Sequence, residues 1–465
     1  RPVSVLAVQT ATRERPDLMA KPIPQTIAQI HGSFAEGLSP VALIERSLRR
    51  IAKQNAANRA LIFVAEEEAL EAAHAAEIAL RTGKRLGPLH GVPVAVKDVI
   101  DVKGWPTTGA SRLFGEKAAE RDAVCVANLR AAGAVIIGKA NLHELTAGNH
   151  DNPWYGKVVN PLDPERGTGG TSSGSAATVA AGFCVAASGT DTGGSNRSVA
   201  AATGLVGFKP TQGVIDADGT LPTAPSFDTI GPIASSVADA RTVHYALLGV
   251  PEPTPVDIAL ADITIGVCPD LYQVAVDPAV AAAHERFLRS AEKAGAQLRA
   301  MSFRQAAEVR EAGLTILVYE FTQRYRNLVE TYPERVGTAV QAFLSKGSEI
   351  SERAYKSAVA YRASIEGEFD RLLSEVNVLA TPVVPGLAPR LTDELTAVGS
   401  EFVHYGLAGG HFRRWANFFC VPTLAMPLPI EGSLPASIQI TTPKNTENYL
   451  FSVCNTLSRL ETGPA

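Results

Sequence analysis

Hydrophobic positions in this chain come in two textures. Short runs of β-branched or small apolar residues, bounded by Gly, Pro or Asn, read as buried strands at residues 92–96, 134–138, 204–210, 263–267, 379–385, 422–428 and 438–440. Helical spacing marks the stretch opened by Ser39-Pro40, where Val41, Leu43, Ile44, Leu48 and Ile51 share a face behind an N-capping serine and a first-turn proline. Further helices are predicted over about 65–81, with Arg81 placed to suit the helix dipole, and over 122–132, 278–294 and 447–460. The stretch 304–376 reads as largely helical, with many charged positions.

Strands alternating with helices predict an α/β sheet. Residues 1–25 mix Thr, Arg and Pro without periodicity and read as an N-terminal arm, disordered or nearly so. Residues 143–166, carrying Asn149, Asn152-Pro153, Asn160-Pro161 and Pro164, read as loop, and the stretch after Pro210 to Pro232 is rich in turns. No internal repeat and no Gly/Ser/Pro linker divides the rest. The expectation is one core over 26–465 with a mainly helical insertion at about 280–376.

Composition narrows the function classes. The chain has 465 residues and a formal net charge of −4, with its basic residues scattered, which argues against nucleic acid and for a small-molecule substrate. No apolar run approaches the ~20 residues of a membrane span. Five widely separated cysteines without a C-x-x-C pair imply a reducing compartment and no zinc site. The sequence begins at Arg1 rather than Met, which implies a native start farther upstream, and residues 1–20 lack the apolar core of a signal peptide. A cytoplasmic location is therefore expected.

Candidate chemistry concentrates in Gly167-Thr-Gly-Gly-Thr-Ser-Ser-Gly-Ser175 and Gly189-Thr-Asp-Thr-Gly-Gly-Ser195-Asn-Arg197, joined by an apolar stretch, 176–187. The two loops can bring hydroxyls and free backbone N–H groups together at the edge of a core. Ser195 follows two glycines, so neighbouring backbone can approach a ligand and offer N–H groups to a developing negative charge. Lys97, delivered by an apolar strand, is a candidate base, because a lysine acts as one only when desolvation lowers its pKa. Together these features read as an acyl-transfer site.

With Lys97 and both loops assembled, the chain resembles the amidase signature family from roughly residue 25 onward. The resemblance rests on His90-Gly-Val-Pro-Val-Ala-Val-Lys-Asp98, Asn160-Pro161, residues 169–177 and 189–197, and Gly207-Phe-Lys-Pro210. It implies a mixed central β-sheet flanked by helices and a Ser-cisSer-Lys triad that hydrolyses amides without metal or cofactor. In that pattern Ser195 is the nucleophile and neutral Lys97 the base. The relay between them is Thr171, 24 residues before Ser195, where the family usually has serine, and the peptide bond before it is expected to be cis. Ser172 is the substitute relay or a supporting partner. Backbone N–H groups of Thr192, Gly193, Gly194 and Ser195 are the expected oxyanion hole. Asp191 and Arg197 are expected to brace the loop as an ion pair. The loop from Leu145 to Asn152 aligns with a wall of the acyl pocket, with Leu145 and Thr146 expected at the substrate and His150 read as either a substrate contact or a solvated loop histidine.

Competing readings are weaker. Gly170-Thr-Ser172-Ser-Gly174 matches a nucleophile elbow, but the turn-like stretch before it lacks the strand that motif needs. The glycines fit neither a phosphate loop nor a dinucleotide fingerprint, and His143-Glu144 has no second histidine at metalloprotease spacing. The preferred reading is a stand-alone hydrolase of small carboxamides, alone or as a homodimer. The alternatives are the glutaminase-type subunit of a tRNA amidotransferase, working with partner subunits, and a non-catalytic scaffold. Specificity is expected from the 280–376 insertion and the 400–415 loop.

Overall fold

Ser39 Oγ accepts the Ala42 N–H at 3.1 Å and Pro40 occupies the first turn, so the helix opened by this pair starts where its sequence asks. The computed structural model describes residues 24–115, 117–147, 149–272 and 274–460. Nearly all of the expected arm lies outside them. In chain order the first half comprises α1 (Ile27–Ala35), α2 (Pro40–Asn58), β1 (Leu61–Val64), α3 (Glu66–Arg81), β2 (Pro93–Lys97), α4 (Val124–Ala131) and β3 (Val135–Ala140). A short pair, β4 (Val159–Asn160) and β5 (Asp163–Gly167), precedes α5 (Ser173–Ala180), β6 (Ala186–Thr190), α6 (Ser195–Thr203), β7 (Val206–Lys209), β8 (Ile230–Ala234) and α7 (Val237–Leu248).

The second half runs β9 (Thr264–Val267), α8 (Pro278–Lys293), β10 (Gln297–Ala300), α9 (Ala306–Thr331), α10 (Thr338–Ser348), α11 (Glu352–Ser374) and β11 (Val378–Pro382). The hairpin β12 (Leu395–Val398) and β13 (Glu401–His404), α12 (Tyr405–Phe418), β14 (Thr423–Leu428), β15 (Ala436–Thr441) and α13 (Glu447–Leu457) complete it. Eleven strands form one sheet in the order β1-β3-β2-β6-β8-β7-β14-β15-β11-β9-β10. It is mixed: β3, β2 and β6 run parallel, as do β11, β9 and β10, and the pairings between these groups are antiparallel.

Within 280–376, α8 packs on the sheet strands β11 and β15, and β10 forms the outer edge beside β9. Helices α9 and α11 pair with each other, and α9 packs on α12, around Val309, Ile316, Phe369, Trp415 and Phe418.

Several elements differ from expectation. The apolar stretch 176–187 divides into the end of α5, a turn, and the start of β6, a central strand that runs into the second glycine loop. Residues 230–234, which their glycine and proline argue against as strand, form β8 beside β6. Ser188 stands opposite Pro232, and Ser188 O accepts the Ser175 hydroxyl at 2.9 Å. Short β4 and β5 interrupt the 143–166 loop because Asn160 Nδ2 donates to Gly167 O and Ala202 O, at 3.3 and 2.8 Å, and pins the turn. No helix among the described residues is long and apolar enough to cross a membrane.

Candidate active site

Side chains alternate across a strand, and that parity aims Lys97. Val94 and Val96 of β2 join the core on one face of the sheet, whereas Ala95 joins the other with Ala176 and Ala177 of α5 and Val199 and Ala200 of α6. Lys97 falls on the side of Ala95, under the N-termini of α5 and α6, and is fully buried. Its Nζ lies 2.7 Å from Thr190 Oγ1, 3.0 Å from Ser172 Oγ and 3.1 Å from Thr171 Oγ1. Burial draws its pKa from the usual lysine range down to about 7, against the pull of Asp191 and Asp228. Thr190 is a partner that the sequence did not signal, since the pairing of β6 beside β2 brings it there.

The three hydroxyls are not equivalent. Asn196 Nδ2 donates to Phe208 O and Gly231 O, which turns its Oδ1 toward Ser172. Ser172 Oγ faces that Oδ1 at 3.0 Å and Thr190 O at 3.1 Å, so two acceptors compete for its single proton. Toward Lys97 it can only accept. Thr171 Oγ1 has no such competing acceptor, and its residue is half-buried, as are Gly170, Gly193 and Ser195, in loops that are otherwise buried. These four are where a ligand can reach the loops.

Ser195 opens α6 and Gly194 caps it at φ +110°, a conformation that favours glycine; a β-carbon there would also run into Arg413. The helix start leaves N–H groups without intrahelical partners beside the nucleophile. Gly194 departs from the oxyanion expectation. Its N–H donates to Asp191 Oδ1 at 2.9 Å, because the buried carboxylate sits inside the turn, and the remaining donors are those of Thr192, Gly193 and Ser195. No peptide bond among the described residues is cis, so the bond before Thr171 is trans, as a non-proline bond ordinarily is. Thr171 and Ser195 are not joined by a hydrogen bond. The two loops do touch: a β-carbon built on Gly170 would lie 3.5 Å from Ser195 O.

Asp191 and Arg197 make a bidentate pair, with Nε to Oδ2 and Nη2 to Oδ1 both 3.0 Å, entirely buried. Burial alone would raise the Asp191 pKa, but Arg197 and Asn417 hold it well below the usual carboxylate range. Arg197 also donates to Gln439 Oε1 and Asn417 Oδ1 at 2.8 Å and to Arg413 O at 3.1 Å, tying the loop to α12 and β15.

Leu145 and Thr146 both have positive φ, 52° and 58°, a strained conformation for these residues. Leu145 N–H donates to Gly109 O at 2.8 Å and Thr146 Oγ1 contacts Thr223 Oγ1, so both are held by the loops facing them. His150 does not join the Lys97 cluster. Its Nδ1 lies 3.8 Å from Glu394 Oε1, with His143 and His404 nitrogens 4.0 and 3.7 Å from the same carboxyl group. Burial pushes Glu394 up to about 7 and His143 down to about 3, so at neutral pH the His143 imidazole is uncharged and the Glu394 carboxyl is near its titration midpoint. No group of His, Cys, Asp or Glu among the described residues is arranged to hold a metal ion.

Known proteins resemble this chain over most of its length. The amidase family model matches residues 42–451. The glutamyl-tRNA(Gln) amidotransferase A-chain of Symbiobacterium thermophilum is 32% identical over 453 residues, covering 89% of this chain and 92% of that relative. A crystal structure of an amidase is 32% identical and superposes with a TM-score of 0.87 over 94% of this chain and 100% of that one. The corresponding amidotransferase component of Thermotoga maritima is 26% identical, with a TM-score of 0.73 over 89% of this chain and 90% of that one. The expected mixed sheet flanked by helices is the architecture shared with the amidase structure.

Proposed function

The chain belongs to the amidase family, whose members act on carbon–nitrogen amide bonds, and we propose that it hydrolyses a carboxamide to carboxylate and ammonia through an acyl-enzyme on Ser195. The observation that carries this reading is Lys97, buried, with its Nζ within 2.7–3.1 Å of three hydroxyls, under the helix that Ser195 opens. A pKa near 7 leaves a large fraction of the amine neutral at physiological pH, able to accept a proton.

In the proposed sequence Ser195 passes its proton to Thr171 Oγ1 as Thr171 passes its own to Lys97 Nζ, and Ser195 Oγ bonds to the amide carbon. The carbonyl oxygen becomes an oxyanion facing the N–H groups of Thr192, Gly193 and Ser195; such a donor is worth about 3–4 kcal/mol in barrier. The proton on Lys97 returns through Thr171 to the amide nitrogen, the C–N bond breaks and ammonia leaves. Water then attacks the ester, losing a proton along the same relay. The carboxylate departs and Ser195 regains its proton.

A second reading shares this chemistry and has its own support. The relative from Symbiobacterium is one component of an amidotransferase, which favours a role as the ammonia-releasing component of such a complex over a stand-alone hydrolase. Assaying ammonia release from aliphatic, aryl and dicarboxylic amides and L-glutamine, with Ser195→Ala as control, tests the common reading. Turnover by the isolated chain supports the stand-alone enzyme, and glutamine turnover only with co-purified partner proteins supports the second. Undiminished ammonia release by Ser195→Ala would overturn both.

A further inference from the structure

Arg414 lies on α12 beside the oxyanion loop and is bonded to none of the described residues. A β-carbon built on Gly193 would sit 3.9 Å from its Nε and 3.5 Å from Leu317 Cδ1 of α9. The Nε is sealed from solvent without a hydrogen-bond partner, and the guanidinium makes no hydrogen bond or ion pair with any described residue. Burial draws its pKa down to about 10 with no acidic neighbour to oppose that. Arg414 as a residue is half-buried, and a donor sealed from water without a partner, as its Nε is, carries a desolvation cost that proteins ordinarily avoid.

The surroundings are shaped to this side chain. A β-carbon on Gly410, one turn earlier in α12, would stand 2.6 Å from Arg414 Nη2, and one on Gly313 of α9 would stand 3.3 Å from its Cδ. Two helix-interior glycines, each disfavoured by about 1 kcal/mol relative to alanine, thus leave room for the guanidinium and its stem. Two further cationic or donor groups share the location. His411 has a buried, unpartnered Nδ1 and is lowered in pKa by burial and then by the charges of Arg310 and Arg414. Arg310 of α9 has a buried, unpartnered Nη1. None of the three is ion-paired to an acid among the described residues.

We propose that Arg414, backed by Arg310 and His411, binds a carboxylate on the acyl part of the substrate, so that the amide hydrolysed is a half-amide of a dicarboxylic acid. The inference rests on the reading of Ser195 as nucleophile. The amide nitrogen must face Thr171 and Lys97 to be protonated, whereas Arg414 borders Gly193 on the oxyanion loop, which assigns it to the acyl part. A planar guanidinium with two free Nη groups suits a carboxylate's paired oxygens. An α-ammonium group would meet cations there, so a zwitterion such as glutamine fits less well than the same skeleton without its amine.

Pentanamide, glutaramate and L-glutamine share one five-carbon skeleton and separate these contributions. The wild type is expected to favour glutaramate over pentanamide in kcat/KM by about 10–100-fold, the range of a charge-assisted pair, and over glutamine as well. Arg414→Gln should collapse the glutaramate-to-pentanamide ratio, chiefly through KM, and Arg414→Lys should restore part of it; a purely structural role would lower both substrates together. As a readout independent of turnover, glutarate should raise the melting temperature of Ser195→Ala but not of Ser195→Ala/Arg414→Gln. Equal use of pentanamide and glutaramate, preference for glutamine, or a glutarate shift that survives loss of Arg414 would each overturn the proposal. Turnover by Ser195→Ala would instead defeat the nucleophile reading, while the glutarate measurement still judges Arg414.

Discussion

Ser172 Oγ lies 3.0 Å from Asn196 Oδ1, and this contact, with Thr190 O on its other side, holds the Ser172 proton away from Lys97. Thr171 has no such competing acceptor and is the better relay. Thr171→Ser should keep or raise kcat, since it removes a methyl group and keeps the hydroxyl. Thr171→Val should lose about 10²–10⁴ in kcat, the usual contribution of general acid–base transfer. Ser172→Ala should lose less, through a displaced Lys97. Steady-state kinetics of the three variants side by side check this, and a tolerated Val with a crippled Ser172→Ala would reverse the assignment.

The pH profile should report Lys97. Its neutral form is the base, so kcat/KM is expected to rise with pH through a midpoint near 7 and level off above it. Lys97→Ala should lose this limb and nearly all amide turnover at neutral pH, with esters suffering less because their leaving group needs no protonation. Amide turnover within about tenfold of wild type, only ~1.4 kcal/mol in barrier, would contradict the assignment.

The Asp191–Arg197 pair should behave as structure rather than chemistry. Truncating one partner of a buried ion pair leaves the other charge uncompensated, at a cost of about 3–5 kcal/mol. Arg197→Met is therefore expected to lower stability by about that amount in denaturant unfolding. Asp191→Ala should also release the Gly194 N–H and disturb the nucleophile turn.

Much of this site could be read in the sequence because its residues sit in two local, glycine-marked loops and at the end of one apolar strand. Lys97, Thr171, Asp191, Ser195 and Arg197 were all visible that way. Thr190, Asn196, Asn417 and Gln439 were not. Their roles depend on which strands lie side by side and on a helix more than 200 residues away in sequence, as in the Asn417 contact to Asp191. Pattern reading also missed β8, whose Gly-Pro core argues against a strand until its antiparallel pairing with β6 is known. The 400–415 stretch expected to set specificity is strand β13 and most of helix α12 rather than a loop, and Arg414 within it was not singled out, since one arginine in an amphipathic helix ordinarily reaches water.

Acyl-enzyme trapping tests the Ser195 claim most directly. A slowly deacylating ester or a fluorophosphonate, followed by intact-protein mass spectrometry and peptide mapping, should give one adduct per chain, on Ser195, lost in Ser195→Ala and slowed strongly in Lys97→Ala. An adduct on Ser172, or none on any serine while amide is being hydrolysed, would contradict the account.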